Sequence, residues 1–146
     1  MTAVSTDNLG AWLLKASGDN SDIAERAERG DDVAHWCVHR SYRTALMLTG
    51  QPVLLWVSGS RRVTPGIWAA GSLTGPPVAD DGEPGRRQRV PLTLRWLAEP
   101  ARLSRDDARA DPRLAGLEVL RQPQAANPSF VNRAQYRAIL DHLFTG

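Results

Sequence analysis

The sequence predicts an α+β domain built on a small, mostly antiparallel sheet or barrel, with helices towards its C-terminal end. Three observations carry that expectation. Two apolar runs, Val53–Val57 and Gly66–Leu73, flank a polar loop, Ser58–Pro65, that holds Gly59 and Pro65. Val and Ile favour a pleated, half-buried surface, so the pair reads as a hairpin. In Arg89–Leu97, Val90, Leu92, Leu94 and Trp96 alternate with Pro91, Thr93 and Arg95. That period of two marks a strand, and Pro91 places it at a sheet edge or a bulge. Near the end, Tyr136, Ile139, Leu140 and Leu143 form the i, i+3, i+4, i+7 stripe of an amphipathic helix.

The remaining elements follow in order. Residues 1–10 are polar and read as a loose terminus, so a single domain is expected over residues 11–146. Ala11–Ala16 is a short apolar strand, and Lys15, the only lysine, sits where it would leave the sheet. Ser21 or Asp22 caps a short helix through Arg29, which Gly30 ends. Thr44–Leu48 reads as a helical turn stopped by Gly50. Gly75–Gly85 is a loop by composition, followed by the basic cluster Arg86, Arg87 and Arg89. Ser104 with Asp107 resembles a capping box. Asp111-Pro112 reads as another helix start, with Leu114, Leu117 and Leu120 as its apolar face. Asn132 with Gln135 repeats the capping-box pattern before the terminal helix.

A chain of 146 residues is long enough to bury a core as one domain. Its apolar runs fall far short of a membrane span, and no secretory leader is visible at the N-terminus. One cysteine, Cys37, rules out an internal disulfide and fits a reducing, cytoplasmic setting. The net charge is only +2, but it is unevenly spread. Residues 1–32 carry seven acids against three bases. Residues 33–78 carry no acid and four arginines: Arg40, Arg43, Arg61 and Arg62. An acid-free span around the hairpin suggests a positive field for a phosphate-bearing partner; chance clustering on a mildly basic chain gives the same pattern.

Functional residue types concentrate in two places. Around the hairpin, Trp56 and Trp68 stand beside Ser58, Gly59, Arg61 and Arg62. Aromatic faces, small residues and guanidinium groups at a sheet rim suit a flat, anionic ligand such as a nucleotide; the same tryptophans could fill a core while the arginines face water. Between residues 35 and 43 lie His35, Trp36, Cys37, His39, Arg40, Tyr42 and Arg43. A helix would put His35 and His39 on one face. A zinc site needs three or four ligands at defined spacing, and only His142 remains elsewhere, so no metal is expected. Cys–His catalysis would need an orienting group and an oxyanion hole, and neither can be identified. No GxxxxGK, GxGxxG or GxSxG pattern is present. No cofactor is expected.

Several of these segments together resemble the EVE domain, of the PUA-like superfamily. The matching stretches are Trp12–Ala16, Trp36–Arg43, the strand pair VLLWVSG…PGIWAAG, and LAGLEVLRQPQAANPSFVNRAQYRAIL. They span Ala11 to Leu143 in the family's order. One departure is plain: many relatives lead into the central strand with a Gly-Asp pair, whereas here Gly50 is followed by Gln51-Pro52. The resemblance implies a small twisted, mostly antiparallel β-barrel flanked by helices, and kinship with YTH domains, which hold a modified base in an aromatic cage.

What it implies for function is a non-catalytic nucleic-acid-binding module that reads a modified base in DNA or RNA. By the same resemblance Trp36 and Trp56 would be cage walls, with Ser58 and Gly59 at the lip; Tyr42 joins them as a pocket residue by its type and its place in the 35–43 segment. Lys15, Arg40, Arg43, Arg61 and Arg62 would form a phosphate-binding rim. Two other classes stay open: a small-ligand or protein-interaction module using the same pocket, and a hydrolase or nuclease, for which only Lys15 and the His35/His39 pair are candidates.

Overall fold

A computed structural model describes residues 3–59, 61–79 and 87–145. Its strands are β1 (Leu9–Ser17), β2 (His35–His39), β3 (Pro52–Ser58), β4 (Gly66–Leu73), β5 (Val78–Ala79), β6 (Arg87–Trp96), β7 (Leu103–Ser104) and β8 (Ser129–Asn132). Its helices are α1 (Ile23–Arg29), α2 (Arg105–Ala110), α3 (Glu118–Arg121) and α4 (Arg133–Thr145), with single 3-10 turns at Thr44–Leu46 and Glu99–Ala101. Ser60, Arg86 and most of the acidic half of the expected 75–85 loop lie outside the described residues.

The strands form one strongly curled, half-barrel sheet in the order β2-β6-β4-β3-β1-β8, with β5 on β6 and β7 on β4. Among the described pairings only β1 with β3 is parallel. The edges meet at one point: the His39 amide, ending β2, donates to the carbonyl of Asn127, just before β8, at 2.9 Å. The Asn127 side chain grips β1 as well, accepting from the Lys15 amide at 2.8 Å.

Alternation along the strands sorts the apolar residues into two cores. One gathers Trp12, Leu14, Val38, Val53, Leu55, Val57, Trp68 and Val90 from five strands, and so fills the curl. The other sets Ala11, Leu13, Leu54, Trp56 and Ile67 against Leu114, Leu117, Ala138, Ile139 and Leu143, between the sheet's outer face and the C-terminal helices. Tyr136, Ile139 and Leu143 of the expected α4 stripe seal this second core together with Ala138, while Leu140 is not among its residues. Gly71 lets β4 and β6 approach closely: a Cβ there would stand 1.8 Å from the Thr93 carbonyl oxygen.

At the start of α1 the N-cap residue Asp22 makes no side-chain cap bond, and the Ser21 hydroxyl accepts from the Ile23 amide instead at 3.3 Å; the other expected caps form. The Ser104 hydroxyl accepts from the Asp107 amide, and Asn132 and Gln135 exchange reciprocal side-chain-to-amide bonds at the start of α4. Gly30 ends α1 at φ +68. Gln51 holds the turn that leads into β3. Its side-chain oxygen accepts from the Leu48 amide and the Trp12 indole, both at 2.7 Å, and its nitrogen donates to the Leu46 carbonyl.

Three expectations need correction, and the segment from His35 to His39, left open between helix and strand, takes one form. Pro91 is not on an edge: β6 is an interior strand, and Pro91 sits where its pairing on one side passes from β5 to β4. The proline falls where that ladder is interrupted. Asp111-Pro112 starts no helix. Residues 111–116 are turns, because the Asp111 carboxylate folds back onto the Arg113 amide and is held by the Arg113 guanidinium and the His142 ring. The N-terminal stretch is not loose from Val4 onward: Val4 is 5% exposed and its amide donates to the Tyr42 hydroxyl. Residues 35–39 form a strand rather than a helical face. At about 3.3 Å per residue the strand sets His35 and His39 roughly 13 Å apart along β2, where a helix would have put them one turn apart. No helix among the described residues is long and apolar enough to cross a membrane.

Candidate functional site

Where β2 ends, the chain turns through Ser41–Thr44. The Ser41 hydroxyl accepts from the Arg43 amide, and the Thr44 hydroxyl bonds both ends of Ser41. This turn pushes Tyr42 outward, 55% exposed, and aims Arg43 inward. Across from it, Glu118 opens α3. The two side chains meet in a bidentate pair, Nη1–Oε1 2.6 Å and Nη2–Oε2 2.7 Å. Arg43 also donates to the Pro128 carbonyl, and Glu118 accepts from the Phe130 amide.

The pair forms the floor of a concavity of about 820 Å³. Tyr42 and Phe130 supply aromatic walls; Gln122, Asn132 and Gln135 supply side-chain amides; Arg121 stands at the mouth. A smaller concavity continues past Tyr42 to His39 and Asn127. The oxygens of Asn132 and Gln135 are used in capping α4, and their amide nitrogens make no bond within the described residues. Arg121 and Arg40 are exposed and likewise without a protein partner there.

Electrostatics follow from this packing. Burial by itself would raise the Glu118 carboxyl. Hydrogen bonds from Arg43 and the Phe130 amide, with the charges of Arg43 and Lys15, hold it below the usual carboxylate range. Burial pushes the Lys15 ammonium down, opposed by Glu118 and reinforced by Arg43. Its nitrogen donates to the backbone carbonyls of Ala125 and Pro123, so Lys15 braces the 123–127 loop and is not an open rim cation.

The structure divides the residues picked from the sequence. Tyr42, Arg43 and Lys15 gather at this end of the sheet, whereas Arg40 lines a separate concavity with Met47, Leu48 and Pro77. Trp36 and Trp56 do not share a pocket: Trp36 packs on the core inside the curl, whereas Trp56, 3% exposed, lies in the core beneath α4. The reason is the strand period: Trp56 alternates with Leu55 and Val57, which point into the curl. Ser58 and Gly59 line none of the concavities described here. The Ser58 hydroxyl donates to the Ala16 carbonyl at 3.2 Å. Arg61 and Arg62 sit on the hairpin loop, facing Asp19 at 3.9 Å and Glu25 at 3.4 Å. The acid-free span is therefore not acid-free in space. Three of its four arginines meet a carboxylate supplied from elsewhere in the chain, and Arg40 alone makes no ion pair among the described residues.

Sequence reading missed Glu118, Phe130, Arg121 and Gln122. Only the Asn132/Gln135 capping box pointed near them. Among the described residues no group of three or more His, Cys, Asp or Glu side chains could hold a metal ion.

No protein-family model and no curated protein matches the chain. Solved structures do match its fold. A hypothetical protein from Leishmania major is 18% identical with TM-score 0.64, over 93% of this chain and 95% of that one. Rpa0253 from Rhodopseudomonas palustris is 14% identical with TM-score 0.69, over 92% and 93%. PSPTO5229 from Pseudomonas syringae is 17% identical with TM-score 0.62, over 89% and 97%. The likeness spans nearly the whole of each chain and concerns the fold alone.

Proposed function

We propose that this chain is a non-catalytic nucleic-acid-binding module that takes an unstacked base into the Tyr42–Phe130 cleft. The observation that carries the reading is the composition of that cleft. Two aromatic side chains offer stacking faces, free amide nitrogens can meet the edge of a base, and the unpartnered Arg121 lines the opening. Stacking on such faces stabilises a bound base by roughly 1–3 kcal/mol, enough to offset part of the cost of leaving its stack.

Reading a modified base is the finer part of the proposal. It rests on the resemblance to EVE domains of the PUA-like superfamily, with the aromatic site moved from the Trp36/Trp56 pair to Tyr42 and Phe130. The non-catalytic part of the reading is supported by the floor of the cleft: Arg43 and Glu118 are locked on each other, which suits positioning rather than proton transfer. A cytoplasmic setting suits Cys37, an exposed free thiol. The proposal is tested by fluorescence anisotropy with labelled single-stranded DNA and RNA, unmodified and base-methylated, titrated at low and moderate salt. Saturable, salt-sensitive binding lost in Tyr42→Ala supports it; a flat titration with every oligonucleotide overturns it.

A further inference from the structure

A second concavity, of about 630 Å³, shares no lining residue with the cleft. It lies between α1, the hairpin loop and the segment leading into β7. Its back wall is Trp68, held by an indole bond to the Thr64 carbonyl at 3.0 Å. The Arg102 guanidinium covers that ring, 4.0 Å from its centroid. Arg102 Nε donates to the Leu97 carbonyl at 3.3 Å, which fixes the plane of the group. Its two terminal nitrogens have no hydrogen-bond partner among the described residues. Arg102 is also only partly exposed, so water replaces those partners incompletely. Burial lowers its pKa, with Glu99 opposing, as expected of a cation short of a partner.

We propose that this concavity is a binding site for a small organic carboxylate, whose head pairs with Arg102. The guanidinium fork matches a planar carboxylate, and the Trp68 face holds that fork in place before the ligand arrives. Val63, Pro65 and Leu103 give an apolar lining for the body of the ligand, and the volume suits a molecule of modest size. Glu28 and Glu99 also line the site and repel any strongly anionic molecule, so a singly charged head is selected over polyphosphates or a nucleic-acid backbone. Arg62 is drawn towards Glu25 and adds little attraction.

The test is a titration of the isotope-labelled full chain with benzoate, phenyl phosphate and benzylamine, followed by NMR at the Arg102 Nε–H and Trp68 Nε1–H signals. Benzoate is expected to shift both signals saturably in the millimolar range and benzylamine to leave them alone. Arg102→Gln should abolish the response, and Arg102→Lys should weaken it at least about tenfold, since a lysine keeps the charge and loses the fork. The Trp68 signal monitors the pocket in both variants, and their amide spectra report that they remain folded. No saturable shift with benzoate, or an unchanged response in Arg102→Gln, overturns the proposal. Tighter binding of phenyl phosphate than benzoate overturns the carboxylate assignment. Oligonucleotide affinity is expected to be the same in Arg102→Gln as in the parent chain, so this site and the Tyr42 cleft stand or fall separately.

Discussion

Arg43 and Glu118 lie 75 positions apart and form a two-pronged ion pair with side chains only 20% and 19% exposed. The pair ties the turn after β2 to the start of α3, and Tyr42 and Phe130 line the same cleft. Removing one partner strands the other partly out of water. Glu118→Ala is therefore expected to cost about 1–3 kcal/mol in urea unfolding, with Arg43 left unpaired. An unchanged midpoint would show that the pair does not hold the cleft together.

The same pair sets a pH dependence. The Glu118 carboxyl is depressed in the folded state. Its stabilising contribution is thus fully present above the unfolded carboxylate value, near 4.3 for a free glutamate, and fades as pH falls through the lower folded value. Thermal unfolding of the parent chain should lose stability through this acid window faster than Glu118→Gln does. Parallel pH profiles would rule the linkage out.

Trp56→Ala tests the relocation of the aromatic site. With Trp56 packed beneath α4, truncation should open a cavity and cost about 3–5 kcal/mol in chemical denaturation. Trp56→Phe, which keeps most of the packing, should fold and bind oligonucleotide as the parent does. Selective loss of binding in a fully stable Trp56→Phe protein would return Trp56 to the site.

Asn127 is expected to govern closure of the half-barrel. Asn127→Ala removes the oxygen that accepts from the Lys15 amide and leaves its own backbone bond to His39 in place. Hydrogen exchange at the Lys15 amide should quicken markedly, with little change at amides of β3 and β4. Unaltered exchange at Lys15 would mean that the 123–127 loop is held by other contacts.

Much of the fold was legible because it rests on local patterns. The β3–β4 hairpin, the alternation of β6, the cap of α2 and the capping box of α4 are each written within a few residues, and each formed. The site was legible only in part. Tyr42 and Arg43 announce themselves by type, but their partners Glu118 and Phe130 arrive through tertiary contact with no sequence signal. Trp56 misled because one aromatic beside small residues reads alike whether it faces a pocket or a helix layer; only the side of the sheet covered by α4 decides. Arg61 and Arg62 misled for a similar reason: Asp19 and Glu25 reach them across the fold.

The most direct test is the affinity of a short single-stranded oligonucleotide measured across a salt series for the parent chain, Tyr42→Phe, Tyr42→Ala and Arg121→Ala. Phosphate contacts release counterions, so parent affinity should fall linearly with the logarithm of salt concentration. Tyr42→Phe should bind as the parent does. Tyr42→Ala should lose about 1–3 kcal/mol at every salt concentration, and Arg121→Ala should flatten the slope by about one unit. Affinity independent of salt, or equal affinity in the parent and Tyr42→Ala, would contradict nucleic-acid binding at this cleft.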